Sequence, residues 1–162
     1  MLQIYTKYLN VTMFHLYYIS IMKNEVLQKI IRYYGLRNTP IRLDMLNLFI
    51  NANKALSSKT LIKKLGNKYN RVSIFRTIKS FVEKGIIHSI PIAKDYVVYS
   101  ICRNNCREGN HLDQHYHFYC NICEHTYCMN DFYFDQGILP AGYNTERINI
   151  LLEGVCKKCS KN

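Results

Sequence analysis

The sequence lacks a long hydrophobic run, since no uninterrupted apolar stretch reaches the roughly 18 residues that a membrane-spanning helix needs. Residues 1–21 are apolar and rich in tyrosine, but no small-residue cleavage site typical of a signal peptide follows them. Polar residues interrupt this stretch, among them Thr6, Lys7, Asn10, Thr12 and His15. We therefore expect no membrane partner. An ordinary helical pattern begins at Met22, which favours Met22 as the functional start and residues 1–21 as an N-terminal extension.

Acidic residues are scarce in the first 100 positions, and cysteine is absent from them. Residues 1–100 contain 16 Lys and Arg against 4 Asp and Glu, while residues 101–162 contain 6 against 7 and all seven cysteines. The net charges of the two parts are therefore +12 and −1. An apolar content of 48% with 20% charged residues excludes general disorder. This division predicts a basic N-terminal module that faces a polyanion and a C-terminal module that binds metal.

The cysteine spacing indicates a zinc site. Cys120 and Cys123 form one CxxC pair and Cys156 and Cys159 form another, and two such pairs supply the four thiolates of a tetrahedral zinc ion. A closed site of this kind is structural. Four unpaired or disulfide-linked cysteines are the alternative. The odd number of cysteines argues against a secreted disulfide framework, so we expect a reducing cytoplasm.

A second group of ligand-type residues surrounds the first CxxC pair. His115 and His117 are two apart in a β-like run, so both side chains point to one face and can hold a single metal ion. Cys128 lies in the next β-like run and could fold back over the first; its alternative interpretation is a small buried apolar residue. Further candidates lie in a predicted linker at residues 101–114: Cys102, Cys106, Glu108 and His111. The sequence therefore predicts two metal sites.

Residues 22–100 are predicted to form a winged helix-turn-helix. Apolar residues recur at helical spacing in successive short segments, and Gly35 and Gly85 end two of them. Two β-rich runs, IIHSIP and YVVYSI, flank the turn IAKD and form a two-stranded wing. We expect an α+β fold, in which this winged helix precedes a small α/β metal-binding domain at residues 115–162.

The last helical segment of the winged helix carries a polar face. Donors near the start of such a helix suit phosphate oxygens and guanine edges in a major groove, although a solvated basic face is the alternative. With Arg42 from the second helix, the expected DNA contacts are Arg71, Ser73, Arg76 and Lys79.

These motifs together resemble the Fur family of bacterial metal-responsive repressors, which includes iron-sensing Fur, zinc-sensing Zur and peroxide-sensing PerR. The resemblance covers roughly residues 24–160 and rests on RVSIFRTIKSFVEKGII, then HxHxxCxxC, then a second CxxC. It implies structural zinc on the four CxxC cysteines, DNA binding by residues 22–100 and dimerisation through residues 115–162. The implied assembly is a homodimer on a near-palindromic operator in double-stranded DNA. By position it also implies a regulatory site formed by Glu108, His115, His117 and Cys128.

The chain also departs from the family pattern. Phe75 replaces a tyrosine in the recognition helix, and Ile148 replaces a C-terminal histidine. Ala55 or a neighbour replaces a histidine that would bring a regulatory ligand from the DNA-binding domain. Cys128 stands where a carboxylate is expected, and this softer ligand favours zinc over ferrous iron in the regulatory site, although affinity order alone does not decide between metals.

The sequence therefore predicts a metal-dependent transcriptional repressor of metal homeostasis rather than an enzyme, with zinc sensing preferred. Iron- or peroxide-responsive regulation is one alternative, and DNA binding with structural zinc alone is another. A zinc hydrolase built on His115, His117 and Cys128 is disfavoured, because no plausible general base accompanies them and a basic winged helix would have no purpose.

Overall fold

The structure is a computed structural model, and it describes residues 22–102, 115–133, 142–143 and 148–161. The predicted N-terminal extension and most of the predicted linker, with Cys106, Glu108 and His111, lie outside the described residues. Within the described ranges, no helix combines the length and the apolar character needed to cross a membrane.

Within the described residues, the N-terminal module contains four helices: α1 at residues 22–33, α2 at Pro40–Ile50, α3 at Ser58–Leu65 and α4 at Arg71–Glu83. The predicted second helix is confirmed, with Pro40 at its first position, where a missing N–H costs nothing. Side-chain caps start the next two helices, because the Ser57 hydroxyl accepts a hydrogen bond from the Thr60 N–H at 3.1 Å and the Asn70 amide oxygen accepts one from Ser73 at 2.8 Å.

A three-stranded antiparallel sheet completes the winged helix. Its strands are β1 at Leu56–Ser57, β2 at Ile87–Ala93 and β3 at Tyr96–Ile101, in the order β1-β3-β2. The predicted wing is confirmed, but the strands extend into the predicted turn and leave only residues 94–95 between them. The wing also gains the short edge strand β1, in which Leu56 pairs with Tyr99.

The core of the winged helix lies between the helices and the wing. Its fully buried members come from every helix and from β2: Ile31, Met45, Leu46, Phe49, Leu61, Ile74, Phe81 and Ile87. Hydrogen bonds from α2 fix the turn before α4. The Asp44 carboxylate of α2 accepts one from the Lys68 ammonium and one from the Tyr69 hydroxyl, both at 2.7 Å. The position of α4 is thus set by apolar packing on one face and by Asp44 at its N-terminal side.

The second sheet contains β4 at His115–Cys120, β5 at Thr126–Tyr133 and β6 at Ile150–Gly154, in the order β5-β4-β6. Strand β5 is antiparallel to β4, and β6 is parallel to it. A short 3-10 helix follows at Cys159–Lys161. The sequence leaves room for a helix between β5 and β6, but that segment lies mostly outside the described residues.

The winged helix and the second sheet are in contact. The Ala55 N–H donates to the Thr126 carbonyl at 2.9 Å, and the Lys54 ammonium contacts a ring nitrogen of His125. Both contacts join the segment before α3 to the start of β5. The position of the winged helix is therefore linked to the loop that leads from β4 to β5.

Candidate metal centres and the exposed face of α4

Four cysteines meet at one end of the second sheet. Parallel strands β4 and β6 lie side by side, so the turns that follow them are adjacent, and each turn carries one CxxC pair. The sulfur atoms of Cys120, Cys123, Cys156 and Cys159 all lie within 4.8 Å of one another. We call this group the four-cysteine site. Glu124 adopts a positive φ of 55°, which closes the tight turn after the first pair.

The spacing in the four-cysteine site fits a tetrahedral zinc ion. Zn–S bonds of 2.3 Å in a regular tetrahedron place the sulfurs about 3.8 Å apart, and the Cys123 and Cys156 sulfurs are 3.8 Å apart. Hydrogen bonding from the Cys123 N–H lowers the pKa of the Cys120 thiol to about 6. The pKa of Cys159 is raised, first by its hydrogen bond with Cys156. Without a cation the four thiols do not ionise together, and a divalent ion supplies the missing charge.

A second cluster lies where the wing meets the second sheet. It consists of His88 from β2, His115 and His117 from β4, and Cys128 from β5. Their ligand atoms also lie within 4.8 Å of one another, and the three histidines are buried. We call this group the inter-module site. Within the described residues, it and the four-cysteine site are the groups of three or more His, Cys, Asp or Glu side chains close enough to hold one metal ion.

Strand geometry explains three of these four positions. His115 and His117 are two apart on β4, so they share a face, and their ring centroids are 4.6 Å apart. Cys128 is the cross-strand partner of His117, which confirms the prediction that its strand folds back over the first. His88 comes from the other sheet and enters the cluster only because the wing packs here.

The distances in the inter-module site also suit zinc. With Zn–N bonds of about 2.05 Å and a Zn–S bond of 2.3 Å, a tetrahedral ion separates its nitrogens by about 3.3 Å and a nitrogen from a sulfur by about 3.6 Å. The Nε2 atoms of His88 and His117 are 3.1 Å apart, and the Cys128 sulfur is 3.7 Å from His88 Nε2. Three imidazoles and one thiolate can therefore hold one ion with little rearrangement.

The surroundings of Cys128 in the inter-module site favour its thiolate form, which is the form that binds metal ions. Burial alone would raise the pKa of Cys128, but hydrogen bonds from four surrounding side chains lower it to about 4. These neighbours are His115, His117, His88 and Ser100. The thiolate is consequently the stable form at neutral pH, and a metal ion does not have to displace a proton from it.

The predicted regulatory residues have different outcomes. His115, His117 and Cys128 come together, whereas Glu108, His111 and Cys106 lie outside the described residues. Cys102, another candidate for completing the shell, is not in the four-atom set; its sulfur instead lies 3.5 Å from His88 Nδ1. His88 takes the fourth place and was missed by the sequence analysis.

One sequence signal points to His88. It stands in the apolar run IIHSIP at the position two before the buried Ile90, where a strand side chain faces inward. That pattern also fits an ordinary buried histidine. The replacement at Ala55 predicted the loss of one regulatory ligand from the winged helix, and His88 places a different imidazole from this module in the site.

The predicted DNA contacts lie on and near α4. Its buried face carries Ile74, Thr77, Ile78 and Phe81. The opposite side leaves Arg71, Arg76 and Lys79 exposed and Ser73 half-buried near the start of the helix. Arg42 lies apart on α2, where its guanidinium donates to the Arg37 carbonyl at 2.8 Å.

Two apolar side chains share the exposed face of α4. Val72 is 58% exposed and Phe75 is 45% exposed, and they are one helical turn apart. Exposed apolar groups beside basic ones on a helix that enters a major groove suit the methyl groups of thymine. The chemistry of this face therefore combines phosphate or guanine donors with apolar contacts.

Comparison with known proteins gives one consistent result. The profile of the ferric uptake regulator family matches residues 33–136. The ferric uptake regulation protein of Staphylococcus epidermidis is 29% identical over 140 residues, which cover 83% of this chain and 94% of that protein.

Solved structures show the same fold. A zinc uptake regulator complexed with zinc and DNA superposes with a TM-score of 0.64 at 19% identity, covering 86% of this chain and 95% of its own. The ferric uptake regulator from Francisella tularensis with iron superposes with a TM-score of 0.56 at 22% identity, covering 78% and 96%.

Proposed function

Since the chain belongs to the ferric uptake regulator family of metal-dependent, DNA-binding transcriptional regulators, we propose that it represses its target genes when an ion occupies the inter-module site. In this proposal the four-cysteine site holds structural zinc. The protein binds double-stranded DNA as a cytoplasmic homodimer, because one short recognition helix reads few base pairs and two-fold pairing doubles the readout on a near-palindromic operator.

The composition of the inter-module site carries the proposal. One ligand, His88, belongs to the winged helix, and the other three belong to the second sheet. An ion bound to all four restrains the two modules relative to each other, and the free ion concentration thereby selects one arrangement of the winged helix. A 100-fold change in DNA affinity needs only about 2.7 kcal/mol of such coupling.

The ligand set favours zinc as the regulatory ion. Three imidazoles with one thiolate, at tetrahedral spacing, suit zinc, whereas a carboxylate in place of Cys128 would suit iron or manganese better. The curated relative from Staphylococcus epidermidis is named for ferric uptake, and this name favours iron as the alternative. We prefer zinc because the ligands of this chain are soft. The relative's name describes another protein, which has its own ligand set.

On the DNA side, α4 is proposed to enter the major groove. Arg71 and Arg76 would contact phosphates or guanine, and Val72 and Phe75 would contact thymine methyl groups. Ser73, Lys79 and Arg42 would contribute phosphate contacts that fix the register of the helix without reading sequence.

The test is a metal titration of DNA binding. An operator is first selected from a random duplex library with zinc-loaded protein, and its affinity is then measured by fluorescence anisotropy at fixed salt and buffered free zinc. The expected result is an affinity that rises with zinc beyond the first equivalent, while the tightly held first ion stays in place. DNA affinity that is independent of any second ion would instead support DNA binding with structural zinc alone. A response at physiological ferrous iron but not zinc would support the iron alternative.

A further inference from the structure

The His88 ring lies between two sulfur atoms. Its Nε2 faces the inter-module site, 3.7 Å from the Cys128 sulfur, and its Nδ1 lies 3.5 Å from the Cys102 sulfur. Cys102 is not one of the four side chains whose ligand atoms converge on the inter-module site. The sulfur of Cys128 thus belongs to the ligand set, whereas the sulfur of Cys102 contacts the far side of the His88 ring.

The wing fixes Cys102 in this place. Ser100 is the cross-strand partner of His88, and Cys102 follows two residues later on the same face of the sheet. The Cys102 N–H donates to the Ile86 carbonyl at 3.0 Å, which continues the pairing of the two strands beyond the end of β3. The sulfur is therefore held beside the imidazole by backbone hydrogen bonds.

Metal binding defines what His88 needs from its second nitrogen. A histidine that binds an ion through Nε2 is neutral and carries its proton on Nδ1, and this N–H requires an acceptor when the ring is buried. His88 is buried, and the Cys102 sulfur lies at hydrogen-bond distance from Nδ1. A sulfur is a weak acceptor as a thiol and a stronger one as a thiolate.

We propose that Cys102 is the positioning residue of the inter-module site, where its sulfur accepts the His88 Nδ1–H and so holds the tautomer and the ring plane that present Nε2 to the ion. The proposal rests on the proposed function of that site. Cys102 acts through His88 and does not touch the metal. Because His88 is the ligand from the winged helix, Cys102 controls the ligand on which the coupling between metal and DNA binding depends.

The position of Cys102 in the chain gives this role a further consequence. Cys102 directly follows β3, and the segment 103–114 leads from it to β4, which carries His115 and His117. The residue that orients the winged-helix ligand is thus also the point where the chain leaves the wing for the other ligands. We expect substitutions of Cys102 to change the DNA response to zinc as well as zinc affinity.

The experiment compares Cys102→Ala and Cys102→Ser in the full-length chain with zinc retained in the four-cysteine site. Zinc affinity of the second site is measured by competition with a chelator of known affinity. Loss of an outer partner of a metal-bound histidine costs about 10- to 100-fold in affinity, and we expect a loss of this size for Cys102→Ala. Cys102→Ser should recover most of the affinity, because a hydroxyl oxygen also accepts the Nδ1–H. Ser89→Ala is the matched control, since Ser89 neighbours His88 on β2 and points to the opposite face.

A cobalt spectrum separates positioning from ligation. With Co²⁺ in the second site, the thiolate charge-transfer band from Cys128 should keep its intensity in both Cys102 variants. A lower band in both variants would make Cys102 a ligand and overturn the positioning role. Equal zinc affinity in wild type and Cys102→Ala would also overturn it.

Two further measurements keep the outcomes distinct. Metal-free Cys102→Ala could melt at a lower temperature than wild type, and Cys102→Ser then separates lost folding from lost positioning. Only a positioning role predicts that the serine hydroxyl restores zinc affinity without a matching recovery of the melting temperature. A wild-type chain that takes up no second ion would overturn the inter-module site itself, and the role of Cys102 with it.

Discussion

The Nε2 atoms of His88 and His117 lie 3.1 Å apart, although the two residues are 29 positions apart and belong to different sheets. Two imidazole nitrogens at this distance can share one proton or one metal ion. Two protonated imidazoles at this distance would repel each other, whereas one bound dication would attract both ring nitrogens and stabilise the contact. We therefore expect the junction between the winged helix and the second sheet to be strongest when a metal ion occupies the inter-module site.

The first prediction concerns this junction. We expect His88→Ala to weaken zinc binding at the second site and to remove most of the zinc dependence of DNA binding, while one tightly held zinc remains per chain. The measurement is zinc stoichiometry together with anisotropy titrations on the selected operator. Ser89→Ala is the control, because Ser89 neighbours His88 on β2, points to the opposite face and is not in the ligand set. An unchanged zinc response in His88→Ala would exclude His88 as a ligand.

The helices and the wing were predictable because their signals are local. The apolar spacing and Gly85 placed the last helix of the winged helix close to its actual bounds, Arg71–Glu83, and the β-rich runs identified the wing. Strand β1 was missed because it has only two residues, and its pairing with Tyr99 rather than its composition defines it.

The four-cysteine site could be predicted from local sequence signals, whereas the full inter-module site could not. Each CxxC pair carries its own tight turn in the sequence, so the spacing alone indicates a metal site. His88 stands in the largely apolar run IIHSIP, and the next member of the inter-module site along the chain, His115, lies 27 positions away. Its meeting with His115 and His117 depends on how the wing packs against the second sheet, which no local pattern reports.

The second prediction concerns structural zinc. Cys120→Ser should release the ion from the four-cysteine site and destabilise the second sheet, because structural zinc contributes about 10–16 kcal/mol of apparent binding free energy in small zinc domains. Zinc content and thermal unfolding measure the effect. Ile122→Ser is the control, since it places the same side chain in the same loop at a position that is 67% exposed. One tightly bound zinc and a wild-type melting temperature in Cys120→Ser would contradict this assignment.

The third prediction concerns DNA recognition. Arg76 is exposed on α4, and Arg76→Ala should cost on the order of 1–3 kcal/mol at the selected operator and relax its sequence preference. Lys79 is also exposed and lies 3.8 Å from Glu83, so Lys79→Ala should mainly reduce the salt dependence of binding, by a slope of about one. Lys161→Ala controls for the loss of one positive charge outside the winged helix, in the 3-10 helix at Cys159–Lys161. Normal operator affinity in Arg76→Ala would place the recognition surface elsewhere.

The fourth prediction concerns the turn that orients α4. Burial raises the pKa of Asp44, but hydrogen bonds from Lys68 and Tyr69 outweigh this and lower it. The bonds therefore stabilise the fold at pH values above the ordinary carboxyl pKa, and the contribution is lost as the pH falls through the lowered value. Because the pair is partly exposed, we expect Asp44→Asn to cost about 1 kcal/mol or less in unfolding free energy at neutral pH.

Urea denaturation and operator affinity, both measured at neutral pH, check the effect of Asp44→Asn. DNA binding should weaken along with stability, because the hydrogen bonds of Asp44 fix the turn at the start of the recognition helix. Asp95→Asn is the matched control, since Asp95 is exposed in the turn between β2 and β3 and forms no ion pair with any described residue. Equal losses in the two variants would show that Asp44 has no particular role in placing α4.

The last prediction concerns the choice of metal. Cys128 supplies the only sulfur in the inter-module site, and its pKa of about 4 makes it a thiolate at neutral pH. Cys128→Ala should raise the zinc concentration needed for DNA binding and leave zinc in the four-cysteine site. Cys128→Asp should move the preference toward harder ions such as ferrous iron or manganese, because a carboxylate replaces the soft ligand. Parallel titrations of DNA binding with zinc and ferrous iron under anaerobic conditions compare these variants with Met129→Ala, which alters the neighbouring position of β5 outside the ligand set. If Cys128→Ala responds to zinc as the wild type does, the thiol is an inert buried group, and the main reason to prefer zinc over iron disappears.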